Sequence, residues 1–149
     1  MKGIRKTLKR RRFEHKTDYK ARRTLLSSGR PRLVIRKTNR YIIAQIVVSD
    51  VARDRVIFGV SSKDLIQKGW PDSLSGSLKS LPAAYLTGLM LAGKPEKTRE
   101  AILDAGLHRN VKGGRIYAVL RGAVDGGLKI PCNQNVLPND KQLQKNERL

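Results

Sequence analysis

Two histidines, one cysteine and twelve acidic residues are the side chains that could take part in catalysis or metal binding. His15 lies in a strongly basic stretch, and His108 lies far away beside Arg109 in a predicted loop. Nucleophilic catalysis needs a base next to an activated serine or cysteine, with an acid that orients the base. The spacing around either histidine suggests no such group. Cys132, as the only cysteine, excludes an internal disulfide and fits a reducing compartment.

The acidic residues do not fall where metal-dependent nuclease chemistry would need them. That chemistry requires several carboxylates projecting from strand centres to hold divalent ions near a phosphate. The first two predicted strands contain no acid. Asp50 and Asp54 fall in a predicted turn, and Asp104 and Asp125 fall at predicted element ends, where caps, turns and surface charges are common. This lack of acids in the first two predicted strands disfavours the alternative of a ribonuclease H-like enzyme. We also expect no metal and no cofactor.

Basic residues provide the chemistry that the chain does offer. Residues 1–40 contain sixteen lysines and arginines against two acids, so they carry +14 of the net charge of +20. Arginine guanidinium groups bind phosphate oxygens through paired hydrogen bonds, and many such contacts release counterions from a polyanion. Charge runs are often only solvated faces, but the concentration of charge here favours nucleic acid as the partner.

The N-terminal elements must position these arginines. Residues 1–16 have little apolar surface to offset the entropy of ordering, so we predict a basic tail that is disordered unless bound to RNA. Thr17 is a plausible N-cap for a helix that reaches about Ser28, with a partly apolar face. Gly29 suits the end of that helix, and Pro31 prevents its continuation.

Alternating apolar residues then predict three antiparallel strands joined by short turns. They cover residues 32–37, with Leu33 and Ile35 inward; residues 41–48, with Ile42, Ala44, Ile46 and Val48 on one face; and a third strand with Val56, Phe58 and Val60 on one face. Residues 61–80 are predicted to be irregular, with Trp70 as a packing anchor rather than a base-stacking platform.

Two strong helices and a short strand complete the predicted fold. The first helix starts at Ser80 or Leu81 and ends at Gly93, with a stripe of Leu81, Ala84, Tyr85, Gly88, Leu89 and Ala92 packing closely on the sheet. Residues 101–104 form a buried strand, which a helical crossover places parallel to a neighbour. The second helix spans Arg115 to about Asp125, after a Gly113-Gly114 pair that fits a turn and cap better than a phosphate loop. Its buried face is predicted to hold Ile116, Val119, Leu120 and Ala123, and Gly126-Gly127 end it. Residues 128–149 are predicted to be an extended tail.

Three segments carry a resemblance to a known family. They are residues 16–45, beginning Lys-Thr-Asp-Tyr-Lys-Ala-Arg-Arg and including Ser-Gly-Arg-Pro-Arg; residues 82–94, beginning Pro-Ala-Ala-Tyr-Leu-Thr-Gly-Leu; and residues 102–131, including Ile-Leu-Asp-Ala-Gly-Leu and Gly-Ala-Val-Asp-Gly-Gly-Leu-Lys-Ile-Pro. Over about residues 10–138 the chain resembles the large-subunit ribosomal protein family uL-eighteen in its archaeal form, which is related to eukaryotic L-five. This archaeal form usually extends further at its C-terminus than the present chain.

The resemblance implies a structural protein of the cytoplasmic ribosome rather than an enzyme. It implies binding to 5S rRNA, its attachment to large-subunit rRNA in the central protuberance, and contacts with neighbouring large-subunit ribosomal proteins, without a membrane or small-molecule substrate. It also implies a three-layer α/β fold, in which the antiparallel strands and a parallel strand form a mixed sheet with packed helices. Carried onto this sequence, the expected RNA contacts are Arg10, Arg11, Arg12, Lys16, Tyr19, Arg22, Arg23, Arg30, Arg32, Arg36, Asn39 and Arg40.

The predicted organisation is therefore a tail over residues 1–16, an RNA-binding α/β domain over residues 17–130 and a C-terminal tail over residues 131–149. A non-ribosomal RNA-binding chaperone remains the alternative function.

Overall fold

The computed structural model describes residues 7–51, 53–94 and 98–144. Within them lie, in chain order, α1 (Arg10–Phe13), α2 (Tyr19–Ser27), β1 (Arg32–Lys37), β2 (Ile42–Asp50), β3 (Arg53–Ser61), α3 (Asp64–Gln67), α4 (Leu81–Ala92), β4 (Ile102–Asp104), α5 (Arg115–Asp125) and α6 (Asp140–Gln144). Short 3₁₀ helices cover Asp72–Ser77 and Gln134–Val136. Residues 1–6 of the predicted tail and residues 145–149 of the predicted C-terminal tail lie outside the described residues.

The four strands form one mixed sheet in the order β3-β2-β1-β4. Strands β1, β2 and β3 form an antiparallel meander, and β4 runs parallel to β1, with Leu33 opposite Leu103. Both features were predicted, because short turns favour antiparallel neighbours and a helical crossover allows a parallel one. The predicted α/β fold with a mixed sheet and packed helices is confirmed.

A β-bulge corrects the predicted face of the third strand. The pairing shifts between Ile46 and Val47, so that Ile46 lies opposite Phe58 but Val47 lies opposite Val56. The extra residue inverts the alternation, as a bulge does. Phe58 packs against the core cluster, whereas Val56 is 49% exposed. The prediction that Val56 shares the inward face with Phe58 and Val60 was therefore wrong.

Helices α4 and α5 cover the inward face of the sheet and pack against each other at very short range. Ideal Cβ atoms on Gly88 and Gly122 would lie 2.1 Å from the carbonyl oxygens of Val119 and Tyr85. The predicted small residues thus allow a close helix–helix crossing rather than close packing on the sheet. Ala83, Thr87 and Leu91 of α4 are buried, while the predicted stripe residue Leu89 is 38% exposed.

Helix α2 lies outside this core. Its N-cap is Asp18, whose carboxylate accepts hydrogen bonds from the backbone N–H groups of Lys20 and Ala21, and not Thr17 as predicted. Gly29 follows the helix with φ +64°, a left-handed conformation that suits glycine. All nine residues of α2 are exposed or only partly buried. The helix is therefore presented to solvent rather than used to build the core.

Two segments are more ordered than the sequence indicated. Residues 61–80, predicted to be irregular, contain α3 and a 3₁₀ helix, and Trp70 packs as predicted on a small cluster of Leu65, Leu78 and Ala83. Residues 128–144, predicted to be extended, fold back onto the domain. Pro138 is buried there, and its carbonyl accepts a hydrogen bond from Arg121.

Among the helices in the described part of the chain, each is too short or too polar to cross a membrane.

Candidate nucleic-acid interface

The first group of predicted contacts lies on a single helical turn, α1. Arg10, Arg11 and Arg12 are all exposed along it. Arg11 donates from Nε to the Thr17 hydroxyl at 2.8 Å, which ties the turn to the start of α2. Lys16 pairs with Glu14 at 2.9 Å, yet its side chain stays 61% exposed. The four cations therefore face solvent, and only the Lys16 charge is offset by a described acid.

The junction between α1 and α2 lies beside the loop that follows β4. Lys9 places its ammonium 4.6 Å from the centre of the Tyr19 ring, a cation–π contact. Arg12, His15 and Tyr19 line a cavity of about 260 Å³ together with Leu107 of that loop. Tyr19 is half-buried at this point. Its ring helps to fix the basic segment against the domain, a role that the sequence did not reveal.

The two adjacent arginines of helix α2, Arg22 and Arg23, have different surroundings. Arg22 pairs with Asp54 of β3 at 3.0 Å, and both side chains are about one-third exposed. Arg23 is exposed, and the described residues offer it no acidic partner. The ion pair fixes the rotation of the helix relative to the sheet, which directs Arg23 towards solvent.

Arg32 occupies a different place from the one predicted for an RNA contact. Its residue is 2% exposed, on the sheet face opposite the α4 and α5 helices. It pairs with Asp104 of β4 at 2.7 Å and with Asp54 at 3.0 Å, and it also donates to the Ser49 hydroxyl at 2.9 Å. An arginine that is buried and shared between two carboxylates supports the sheet, and its guanidinium is enclosed rather than exposed at the surface.

Asp104 is the residue whose role sequence reasoning missed most clearly. Interpreted as a cap or surface charge, it is instead 6% exposed. Besides Arg32 it pairs with Arg36 at 3.3 Å and accepts a hydrogen bond from the Gly106 backbone N–H at 2.9 Å. Arg36 also donates to the Asp104 carbonyl oxygen at 2.9 Å, while its side chain remains 41% exposed. Arg36 can therefore serve the fold and face a partner at once.

The remaining predicted contacts lie at the two ends of β1. Arg30 precedes the strand, and Asn39 and Arg40 lie in the tight turn that follows it; all three are exposed. Within the described chain, neither arginine has a carboxylate within ion-pair distance. Lys9, Lys20 and Lys37 are exposed in the same region, and their charge was the only sequence signal that could have added them to the set.

Two titratable groups report the electrostatics of this region. Burial by itself would raise the pKa of the Asp54 carboxyl, but hydrogen bonds from Ser49, Arg22 and Arg32 outweigh burial, so its pKa lies below 3.8. Burial, aided by the charges of Arg36 and Lys37, lowers the pKa of His108 below 6.5. The neutral His108 Nε2 accepts a hydrogen bond from the Lys37 backbone N–H at 3.0 Å. This imidazole therefore anchors the end of β1.

The acids thus act as counter-ions for arginines rather than as a cluster. In residues 7–51, 53–94 and 98–144, no group of three or more histidine, cysteine or acidic side chains could hold a metal ion. The geometry brings together Arg22, Arg32 and Arg36 through two carboxylates, and it leaves Arg10, Arg12, Arg23, Arg30 and Arg40 exposed around them. Such an arrangement can bind a folded polyanion through its phosphates.

Comparisons with known proteins find a matching family model and several related sequences. The model of a family described as "Ribosomal large subunit proteins 60S L5, and 50S L18" matches residues 5–98 and 92–133. A protein of Methanoculleus marisnigri named "Large ribosomal subunit protein uL18" is 48% identical over 137 residues, which cover 91% of this chain and 76% of the relative. A protein with the same name in Caldivirga maquilingensis is 45% identical, and the match covers 90% of this chain and 64% of the relative. Another, in Methanococcus maripaludis, is also 45% identical, and the match covers 90% of this chain and 68% of the relative. The chain therefore belongs to the family of ribosomal large subunit proteins that includes 60S L5 and 50S L18.

Proposed function

We propose that the chain binds 5S rRNA and helps to attach it to large-subunit rRNA in the central protuberance. The observation that carries this proposal is the exposed basic surface built from α1, α2 and the two ends of β1. Its members, each exposed or partly exposed, are Arg10, Arg11, Arg12, Lys16, Tyr19, Arg22, Arg23, Arg30, Arg36, Asn39 and Arg40. We call this set the basic front, and Arg32 belongs to its buried support.

Membership of a family of ribosomal structural proteins confirms the prediction that the chain is not an enzyme. It also agrees with the predicted location in cytoplasmic ribosomes.

Binding at the basic front would combine a fixed part with an adaptable part. The ion pairs Arg22–Asp54 and Arg32–Asp54 share one carboxylate and hold α2 and β1 in a fixed relation, so the arginines they carry meet phosphates without first being ordered. The α1 turn has every residue exposed, and its contacts with the start of α2 lie at the surface, so it can shift along the RNA backbone on binding. Because structured RNA is recognised mainly by shape and by exposed loops, we expect few base-specific contacts.

A binding titration with salt tests this function. The full chain is titrated against 5S rRNA and against an unrelated structured RNA of the same length. Potassium chloride is varied from about 50 to about 400 mM, a range over which phosphate contacts weaken strongly. The proposal expects tighter binding to 5S rRNA and affinity that falls steeply with salt. Equal affinity for the two RNAs at every salt concentration would remove the 5S rRNA part of the proposal.

The alternative, an RNA chaperone outside the ribosome, differs in where the protein is found. If the proposal is correct, the chain stays with large subunits when they are sedimented after a high-salt wash. A chaperone would be recovered in the supernatant instead.

A further inference from the structure

A groove lies beside the N-terminal end of α4. Its volume is about 710 Å³, and it is bounded by α4, the 3₁₀ helix Asp72–Ser77 and the loop before α5. Its apolar lining includes Trp70, Leu74, Leu86 and Val111. Leu74 and Leu86 are more than one-third exposed and Val111 is 53% exposed, although each is large and apolar. Apolar side chains grouped and exposed in a groove are typical of an interaction site.

A second cavity of about 340 Å³ extends the apolar surface along α4. It shares Trp70, Pro71 and Leu86 with the groove and adds Leu89. The sequence of α4 explains why the surface exists: the helix has apolar residues all round, yet only one side of it is buried against α5 and the sheet. Together the two cavities form an elongated apolar strip, which we call the α4 groove.

The rim of the α4 groove is basic. Lys37, Lys79, Arg109 and Arg115 line the first cavity and Lys68 lines the second. The described residues that line the two cavities include no aspartate or glutamate. A ligand that fills this groove with apolar groups therefore gains further from negative charge at its edges.

We propose that the α4 groove docks an acidic segment of a neighbouring large-subunit protein, with large apolar side chains inserted along α4. This rests on the proposed function, because it takes the neighbours to be those of the ribosome. The lining favours protein over RNA. Unpaired bases stack on flat aromatic or guanidinium surfaces, whereas this floor is mostly aliphatic. Trp70, the one aromatic residue among the described lining residues, donates from Nε1 to the Leu74 carbonyl oxygen at 3.0 Å.

Site-specific photo-crosslinking tests the proposal in the assembled particle. The full chain carries benzoylphenylalanine at position 86 or, separately, at position 74, and large subunits are purified from cells that express it. Recovery of the chain in large subunits is measured first, so that failure of the proposed function appears as loss of co-sedimentation. Illumination and mass spectrometry of the incorporated protein then identify the crosslinked species. Position 51 serves as the control, because Val51 is an exposed apolar residue outside the groove.

The expected result is that positions 74 and 86 crosslink to the same segment of another protein, that this segment has net negative charge, and that position 51 does not reach it. The double change Lys79→Glu and Arg109→Glu should reduce the crosslink from position 86 at least fivefold while the chain still sediments with large subunits. Crosslinks to rRNA, to a basic segment or within the chain itself, or no crosslink in subunits that contain the chain, would overturn the proposal.

Discussion

Helices α2 and α5 are of similar length but are held in opposite ways. Helix α5 buries six of its eleven residues, including Ile116, Val119 and Ala123. Helix α2 has nine residues, all exposed or partly buried, and depends on the Asp18 cap and the Arg22–Asp54 ion pair. Because most helical stability in proteins comes from packing of an apolar face, α5 belongs to the scaffold, while α2 belongs to the exposed surface that we propose for RNA binding.

The arginines repeat this division. Arg32 is buried between two carboxylates, whereas Arg10, Arg12 and Arg23 are exposed on α1 and α2. Arginine thus stabilises the fold where it is buried, and it presents positive charge to solvent where it is exposed. Changes to the scaffold should therefore alter unfolding first. Changes to front arginines that pair with no described acid, such as Arg10, Arg12 and Arg23, should alter RNA affinity without altering unfolding.

The largest effect on stability is expected at the crossing of α4 and α5. A Gly122→Ala change would place a Cβ 2.1 Å from the Tyr85 carbonyl oxygen and force the helices apart. We expect the free energy of unfolding in urea to fall by about 3 kcal/mol. Gly76→Ala is the matched control, because a Cβ there meets no described atom within 4 Å. Equal stability of the two variants would contradict the close crossing.

A smaller loss is expected when the buried ion pair is broken. Asp104→Asn removes the charge that faces Arg32 and Arg36. Removal of one partner from a fully buried pair costs roughly 3–5 kcal/mol; we expect about 2 kcal/mol here, because Asp54 still pairs with Arg32. The control is Asp50→Asn, an exposed acid at the end of β2. If both variants unfold at the same urea concentration, the buried network does not support the sheet.

Removal of the N-cap of α2 should destabilise that helix without lowering the stability of the whole domain. Asp18→Ala abolishes the hydrogen bonds to the Lys20 and Ala21 N–H groups, which costs about 1 kcal/mol of helix stability. Since α2 lies outside the core, we expect faster hydrogen exchange of its amides and an almost unchanged global unfolding free energy. Ser80→Ala, which removes the cap of α4, should instead lower global stability. Global destabilisation by Asp18→Ala would show that α2 is part of the scaffold.

The smallest effect is a pH dependence from His108. Its pKa is lower in the folded chain than the ordinary value of 6.5, so the unfolded chain binds the proton more readily. The stability that the neutral imidazole contributes is present above pH 6.5 and is lost as pH falls through the folded pKa. His108→Asn should flatten this part of the stability–pH curve measured by urea unfolding, and a curve with the same slope in the variant would contradict this role of His108.

Much of the scaffold was predictable because its signals are local and periodic. The bounds of α5 and its buried Ile116, Val119, Leu120 and Ala123 followed from apolar spacing and flanking glycines. The face of α4 was predicted less well, with Leu89 placed inside, because a helix that is apolar all round has no polar side to orient it. Val56 was misplaced because a bulge in the β2–β3 pairing leaves no mark on the alternation of β3 itself.

The charge of the basic front could be predicted from the sequence, but the ion pairs of its arginines could not. Composition pointed to residues 1–40, yet the burial of Arg32 depends on Asp104, which is seventy-two positions away in sequence. Neither residue type nor spacing indicates that Arg32 and Asp104 will form an ion pair between the adjacent parallel strands β1 and β4. The sequence therefore identifies which arginines are candidates, and only the fold separates supporting arginines from exposed ones.

The most direct measurement is the salt dependence of 5S rRNA binding by a variant that carries Arg10→Gln, Arg11→Gln, Arg12→Gln and Arg23→Gln. Each neutralised phosphate contact contributes roughly 0.7–0.9 to the slope of log affinity against log salt. We predict a slope shallower by about 3 and an affinity at 100 mM salt weaker by at least about 100-fold, with unchanged urea unfolding. An unchanged slope and affinity in the folded variant would contradict the account.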